Sequence, residues 1–198
     1  MEYIIGIDPS FSGLGISKIS LKDKVIYLDQ KSVDIKDGKF IAISNACLDM
    51  LVELLASHPE LADENSLIGM ETPPVMARFT EKLWSLDTLL YRSINKPYVF
   101  NVSYIKYLHG TNKYNKKDTI CLVNKILDLF ISAGYSVNQL YCSDKTGKPK
   151  KMTDNEADSF VYATRMFIKY HKELNDINPL VSAILKECQK FEEVKEDY

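Results

Sequence analysis

The sequence predicts an α/β fold: a mixed five-stranded sheet flanked by helices. Three observations lead there. Short β-branched apolar runs open the chain, each bounded by turn residues. Runs of the same kind then reappear between segments whose apolar residues recur every three and four positions. Two of these runs end in a carboxylate, which turns a fold expectation into a question about chemistry.

Tyr3 to Asp8 reads Tyr-Ile-Ile-Gly-Ile-Asp, a run suited to a central strand buried on both faces, with an acid as its last residue. Pro9, Ser10, Ser12, Gly13 and Gly15 mark a tight turn, after which residues 14–20 and 25–30 are two further strands of a meander. From Phe40, the residues Ile43, Cys47, Met50, Leu51, Leu54 and Leu55 keep amphipathic helical spacing as far as His58-Pro59. Ser66 to Glu71 is a second apolar run ending in a carboxylate, and Thr72-Pro73-Pro74 breaks regular structure ahead of a helix over 79–94. Residues 98–102 supply the fifth strand, 117–133 a helix stopped by Gly134, and 144–151 a basic loop. The last helices begin near Asp154 and Asn178. The second of them spaces Leu180, Ile184, Cys188 and Phe191 for core packing. Residues 1–175 are expected to form one domain, with 176–198 as its C-terminal helical extension.

A chain of 198 residues buries a core without disulfides or structural metal. Cys47, Cys121, Cys142 and Cys188 contain no CxxC pair, so reduced thiols and an intracellular, cytoplasmic setting are expected. No run approaches the roughly 18 apolar residues of a membrane helix, so no membrane partner is expected. The net charge of −2 hides a strong asymmetry. Residues 1–91 hold 8 Lys and Arg against 14 Asp and Glu, a balance of −6; residues 92–151 hold 11 against 3, or +8; residues 152–198 hold 6 against 10, or −4. A segment that basic can neutralise phosphates whatever the whole-chain charge, although lysine-rich surfaces are also common without that use.

One acid at a strand end is unremarkable, because carboxylates often occupy the loops after strands. Two such acids, Asp8 and Glu71, carry more weight, since the carboxyl ends of strands in α/β sheets open onto the crevice where ligands bind. A third source of carboxylates lies in Thr153-Asp154-Asn155-Glu156-Ala157-Asp158. Thr153 and Glu156 fit a capping box, which gives Glu156 a structural task. Asp154 and Asp158 are four residues apart and share a helical face; Asp154 also suits the first turn simply through the helix dipole. Carboxylates brought together repel one another unless cations neutralise them. Hard oxygen ligands favour Mg²⁺ or Mn²⁺, and two such ions suit phosphoryl transfer.

Ile5-Gly6-Ile7-Asp8-Pro9 with Gly13 and Gly15 resembles the first strand and turn of RuvC-type Holliday junction resolvases, members of the ribonuclease H-like superfamily. Leu67 to Glu71 resembles their second acidic motif, and Glu156-Ala157-Asp158 before an apolar helix resembles their last; the likeness runs in order over about residues 3–170. The family has two functional lysines eleven positions apart between its second and third acidic motifs, a spacing that Lys106 and Lys117 reproduce. Where the family commonly has an aspartate three residues before the last acid, this chain has Asn155, which leaves Asp154, Glu156 or neither as the fourth ligand.

The resemblance implies a ribonuclease H-like fold, a homodimer and a Mg²⁺- or Mn²⁺-dependent endonuclease that cuts branched DNA, four-way junctions above all. Asp8, Glu71 and Asp158, with Asp154 assisting, would hold two ions, and Lys117 would stabilise charge at the scissile phosphate. Lys106, Lys113, Lys116, Lys145, Lys148, Lys150 and Lys151 would hold the DNA backbone. Forks or flaps are alternative substrates, and a non-catalytic DNA-binding protein of the same fold is the rival from another class. An actin-like ATPase shares the Gly6-Ile7-Asp8 style of opening but needs a second related domain, for which the chain is short.

Overall fold

The computed structural model describes residues 1–9, 14–31, 40–72, 88–101, 116–139, 152–176 and 178–196. The sheet is built from β1 (Tyr3–Asp8), β2 (Leu14–Ser20), β3 (Val25–Lys31), β4 (Ser66–Thr72), β5 (Tyr98–Asn101) and β6 (Ser136–Gln139) in the order β5-β4-β1-β2-β3-β6. The first three strands pair as an antiparallel meander, β4 and β5 run parallel to β1, and β6 runs parallel to β3. The sheet is therefore mixed, as expected, and the five expected strands are all in it. The sixth, Ser136–Gln139, was not foreseen: a four-residue segment with one aliphatic side chain, Val137, has no periodicity of its own and is made a strand by pairing with the edge of β3.

Strand pleating sends Ile4, Gly6 and Asp8 to one face of β1 and Ile5 and Ile7 to the other. Each face has its own core. On the first, Ile4, Ile19, Ile26, Leu28 and Leu67 pack with three helices, α2 (Lys116–Ser132), α3 (Asp154–Glu173) and α4 (Pro179–Glu196). On the second, Ile5, Ile7, Leu14, Ile16, Ile68 and Met70 pack with Met50, Leu51 and Leu54 of α1 (Phe40–Ser57) and with Leu90 and Ile94. Residues 88–93 are helical, the described part of the helix expected over 79–94. Gly134, at φ +88°, ends the turn after α2 as expected, and the Gly134 and Tyr135 amides donate to the Ile131 and Phe130 carbonyls. Leu180, Ile184 and Cys188 of α4 are buried in the first core. Among the described residues no helix is long and apolar enough to cross a membrane.

Candidate active site

The site forms where β1 and β4 end. Their parallel register pairs Ile7 with Met70, so Asp8 and Glu71, each the next residue, stand side by side and project to the same face. Across the sheet, Asp8 pairs with Gly15, and Gly15 with Gln30. One transverse row thus reads Glu71, Asp8, Gly15, Gln30. Asp8 is buried and Glu71 partly so.

Helix α3 lies on this row because two glycines let it come close. A Cβ added at Gly15 would fall 2.0 Å from the Asn155 carbonyl oxygen, and one at Gly6 would fall 2.0 Å from the Ser159 carbonyl oxygen and 2.4 Å from the Ala163 nitrogen. Ser17, one strand over, closes the contact: its hydroxyl hydrogen-bonds that of Ser159 at 2.7 Å. The helix begins as its local sequence dictates. Thr153 is the N-cap, its Oγ1 accepting from the Glu156 amide at 3.2 Å, while the Thr153 amide donates to Glu156 Oε2 at 2.6 Å. The Thr153 hydroxyl also donates to Gln30 Oε1, which ties the cap to the row that holds Asp8. The expected capping box is present, and Glu156, buried by it, is occupied as a structural residue.

With α3 seated this way, Asp154, Asp158 and Tyr162 follow one another at four-residue intervals along one helical face. Tyr162 is the member of the site that the sequence reading missed. It is 1% exposed, and its phenol lies within the electrostatic reach of the Glu71 carboxyl group. Burial first, then the charges of Glu71, Asp8 and Asp158, hold the phenol in its protonated form far above the ordinary tyrosine range. The charges of Asp8, Glu71 and Asp158 are thus all felt at the Tyr162 phenol. Burial also raises the Glu71 carboxyl above its usual range, opposed by hydrogen bonding to Asp8 and to Tyr162. The only signal for Tyr162 in the sequence was its place four residues after Asp158, a spacing shared by many core aromatics.

Asp154 sits one turn nearer the helix start than Asp158, partly exposed. Lys117 is exposed in the first turn of α2; that helix ends beside Ser136, at the edge of the sheet opposite the acids, and Lys117 is about 22 Å along its axis from Ser132. Lys116 opens the same helix. Lys106, Lys113, Lys145, Lys148, Lys150 and Lys151 lie outside the described residues, as do Pro73 and Pro74. Among the described residues, which include Asp8, Glu71, Asp154 and Asp158, no three His, Cys, Asp or Glu side chains stand together as a group that could hold a metal ion.

A scan against family models finds no match, and a search of curated proteins finds none. Solved structures do match. Thermus thermophilus RuvC in complex with a Holliday junction substrate superposes with a TM-score of 0.50 at 11% identity, over 87% of this chain and 96% of that one. The chain has the ribonuclease H-like fold of RuvC. A second T. thermophilus RuvC structure gives 0.50 at 12% identity over the same shares. The fowlpox virus resolvase with Holliday junction DNA gives 0.45 at 16% identity, over 87% of this chain and 98% of that one.

Proposed function

We propose that this chain is a divalent-metal-dependent endodeoxyribonuclease acting on branched DNA, with four-way junctions as the preferred substrate. The observation that carries the reading is the pairing of Asp8 with Glu71 at the ends of two parallel strands, facing Asp158 and Tyr162, in a RuvC-like fold. The T. thermophilus protein of that fold binds a Holliday junction substrate. The order of the acidic motifs along the sequence and the +8 balance of residues 92–151 support the same reading.

By donor type these acids suit Mg²⁺ or Mn²⁺. They offer hard oxygens, and the groups acting on Glu71 are a second carboxylate and a phenol, so a cation would relieve the crowding of negative charge. Asp8, Glu71 and Asp158 would hold the ions, with Asp154 assisting. Such ions supply charge stabilisation to a phosphodiester undergoing in-line displacement. The protein's own part is to hold the carboxylates in one row and keep them partly dry. Lys117 stabilises charge at the scissile phosphate, Lys106, Lys113, Lys116 and the 145–151 lysines hold the backbone, and two copies act on one junction. Residues 1–175 form the nuclease domain, with α4 as its extension.

Nicking of a labelled four-way junction in Mg²⁺ or Mn²⁺, beside three-way, flap and linear duplexes, tests the proposal. Asp8→Asn should lower cleavage by ~10³-fold or more while junction binding persists. Cleavage that survives the substitution, or that proceeds in EDTA, would sink the proposal. Binding without any nicking would favour the non-catalytic alternative.

A further inference from the structure

We infer that Gln30 is a positioning residue for the acidic site: by accepting a hydrogen bond from the N-cap of α3 it sets the rotation of that helix, and with it where Asp154 and Asp158 stand relative to Asp8 and Glu71. The inference rests on the nuclease reading above. Helix α3 crosses the sheet obliquely. Its Thr153 cap meets β3 at Gln30, the Asn155 carbonyl lies against Gly15 of β2, and Ser159 and Ala163 lie against Gly6 of β1. Glycines admit the helix but carry no side chain to key it, so these contacts limit its distance from the sheet and leave its roll about its own axis open. Directed hydrogen bonds have to fix the roll. One set is at Ser17, whose hydroxyl meets that of Ser159 at 2.7 Å and the Glu156 carbonyl at 3.3 Å. The other is at Gln30, whose Oε1 accepts from the Thr153 hydroxyl at 2.5 Å.

The Thr153 hydroxyl has both its capacities in use. Its oxygen caps the helix by accepting from the Glu156 amide at 3.2 Å, and its one proton goes to Gln30. Gln30 stands opposite Gly15 and so belongs to the transverse row that holds Asp8 and Glu71, which means that the start of α3 is referenced to the strands carrying the other acids. Carboxylates ride at the outer radius of a helix, ~5–6 Å from its axis, so a roll of ~10° moves them by ~1 Å. A misplacement of that size costs on the order of 100-fold in a catalytic step. A glutamine suits the task because its amide supplies an acceptor of fixed direction without a charge.

The test compares wild type with Gln30→Met, which keeps the length of the side chain and removes the acceptor, and with Gln30→Glu, which restores an acceptor that the helix N-terminus also favours. Two readouts are taken on the full chain: hydrogen exchange of the Glu156 and Ala157 amides, both of which donate to Thr153, and kcat and KM for nicking of a labelled four-way junction in Mn²⁺. Gln30→Met should speed exchange of these amides by ~5-fold, the equilibrium worth of one hydrogen bond. It should lower kcat by ~10-fold or more with little change in KM, and Gln30→Glu should recover both exchange and kcat. A wild-type kcat in Gln30→Met, whether or not the amides exchange faster, would reduce the contact to helix capping and overturn the inference alone, since wild type still cuts. Unchanged exchange in Gln30→Met, or a kcat that Gln30→Glu leaves equally low, would overturn it as well, because the acceptor would then not be what holds the helix. If wild type nicks no junction, the nuclease reading fails and this assignment goes with it.

Discussion

Two carboxylates above opposite faces of the same sheet are driven in opposite directions. Glu71, on the face that carries α3, meets Asp8 and Tyr162, and burial pushes its carboxyl up. Glu60, over the other face in the short turn Pro59–Ala62, is an ion-pair partner of Lys18 and lies 3.6 Å from His58 Nδ1. Burial opposes its charge too, but His58 and Lys18 outweigh that and hold it at about 2. His58 in turn places Nε2 3.0 Å from Asp29 Oδ2, and Lys18 lies 4.6 Å from the centre of the Tyr27 ring. One group of acids is answered by the protein's own cations and knits α1 to the meander. The other faces a carboxylate and a phenol, and that environment suits a cation from solution. Burial is common to both; the sign of the neighbouring charge decides which is structure and which is site.

The sharpest way to break this contrast is to make the same substitution on each face. Glu71→Gln should lower metal-dependent junction cleavage by ~10³-fold or more, whereas Glu60→Gln should leave it within a few-fold. Equal losses would mean that the two faces do not differ in function. In EDTA the order should reverse for stability. Glu71→Gln should melt at or above wild type because a crowded buried carboxylate is removed, and Glu60→Gln should lose about 1 kcal/mol after solvent screening, measured by urea unfolding.

Next in size is the close approach that assembles the acidic face. Gly15→Ala forces a Cβ against the Asn155 backbone and should cost about 3 kcal/mol in urea unfolding, lowering Mn²⁺ affinity in whatever remains folded. A fully tolerated alanine would show that α3 can step back without harm to the site.

The smallest effect is one of pH. Glu60, held near 2 against a usual 4.5, favours folding above about pH 4.5 and loses that contribution as pH falls toward 2. For His58, burial disfavours the imidazolium, but Asp29 and Glu60 outweigh it and raise the pKa above 6.5. Its contribution is complete below pH 6.5 and fades as pH rises through the folded value. Wild type should therefore lose stability relative to His58→Gln as pH is raised past 6.5; parallel melting curves for the two proteins would remove His58 from the structural network.

The site was legible in the sequence wherever the signal was local. Asp8 and Glu71 stood out because each ends an apolar β-branched run, and the capping box of Thr153 and Glu156 is written in four consecutive residues, so the start of α3 and the shared face of Asp154 and Asp158 followed from it. The strand Ser136–Gln139 and Tyr162 were not legible: the first is a strand only because β3 offers an edge, and the second resembles any buried helical aromatic until Glu71 is placed beside it.

By itself, then, the sequence determined the elements, their caps and the candidate acids, because period, turn chemistry and capping act over a few residues. Only the tertiary structure decided which acids meet. The parallel register of β1 with β4 sets Asp8 beside Glu71, and Gly6 and Gly15 admit the helix that carries Asp158 and Tyr162 close against β1 and β2. Those relations join positions more than sixty residues apart along the chain, where no local pattern reaches.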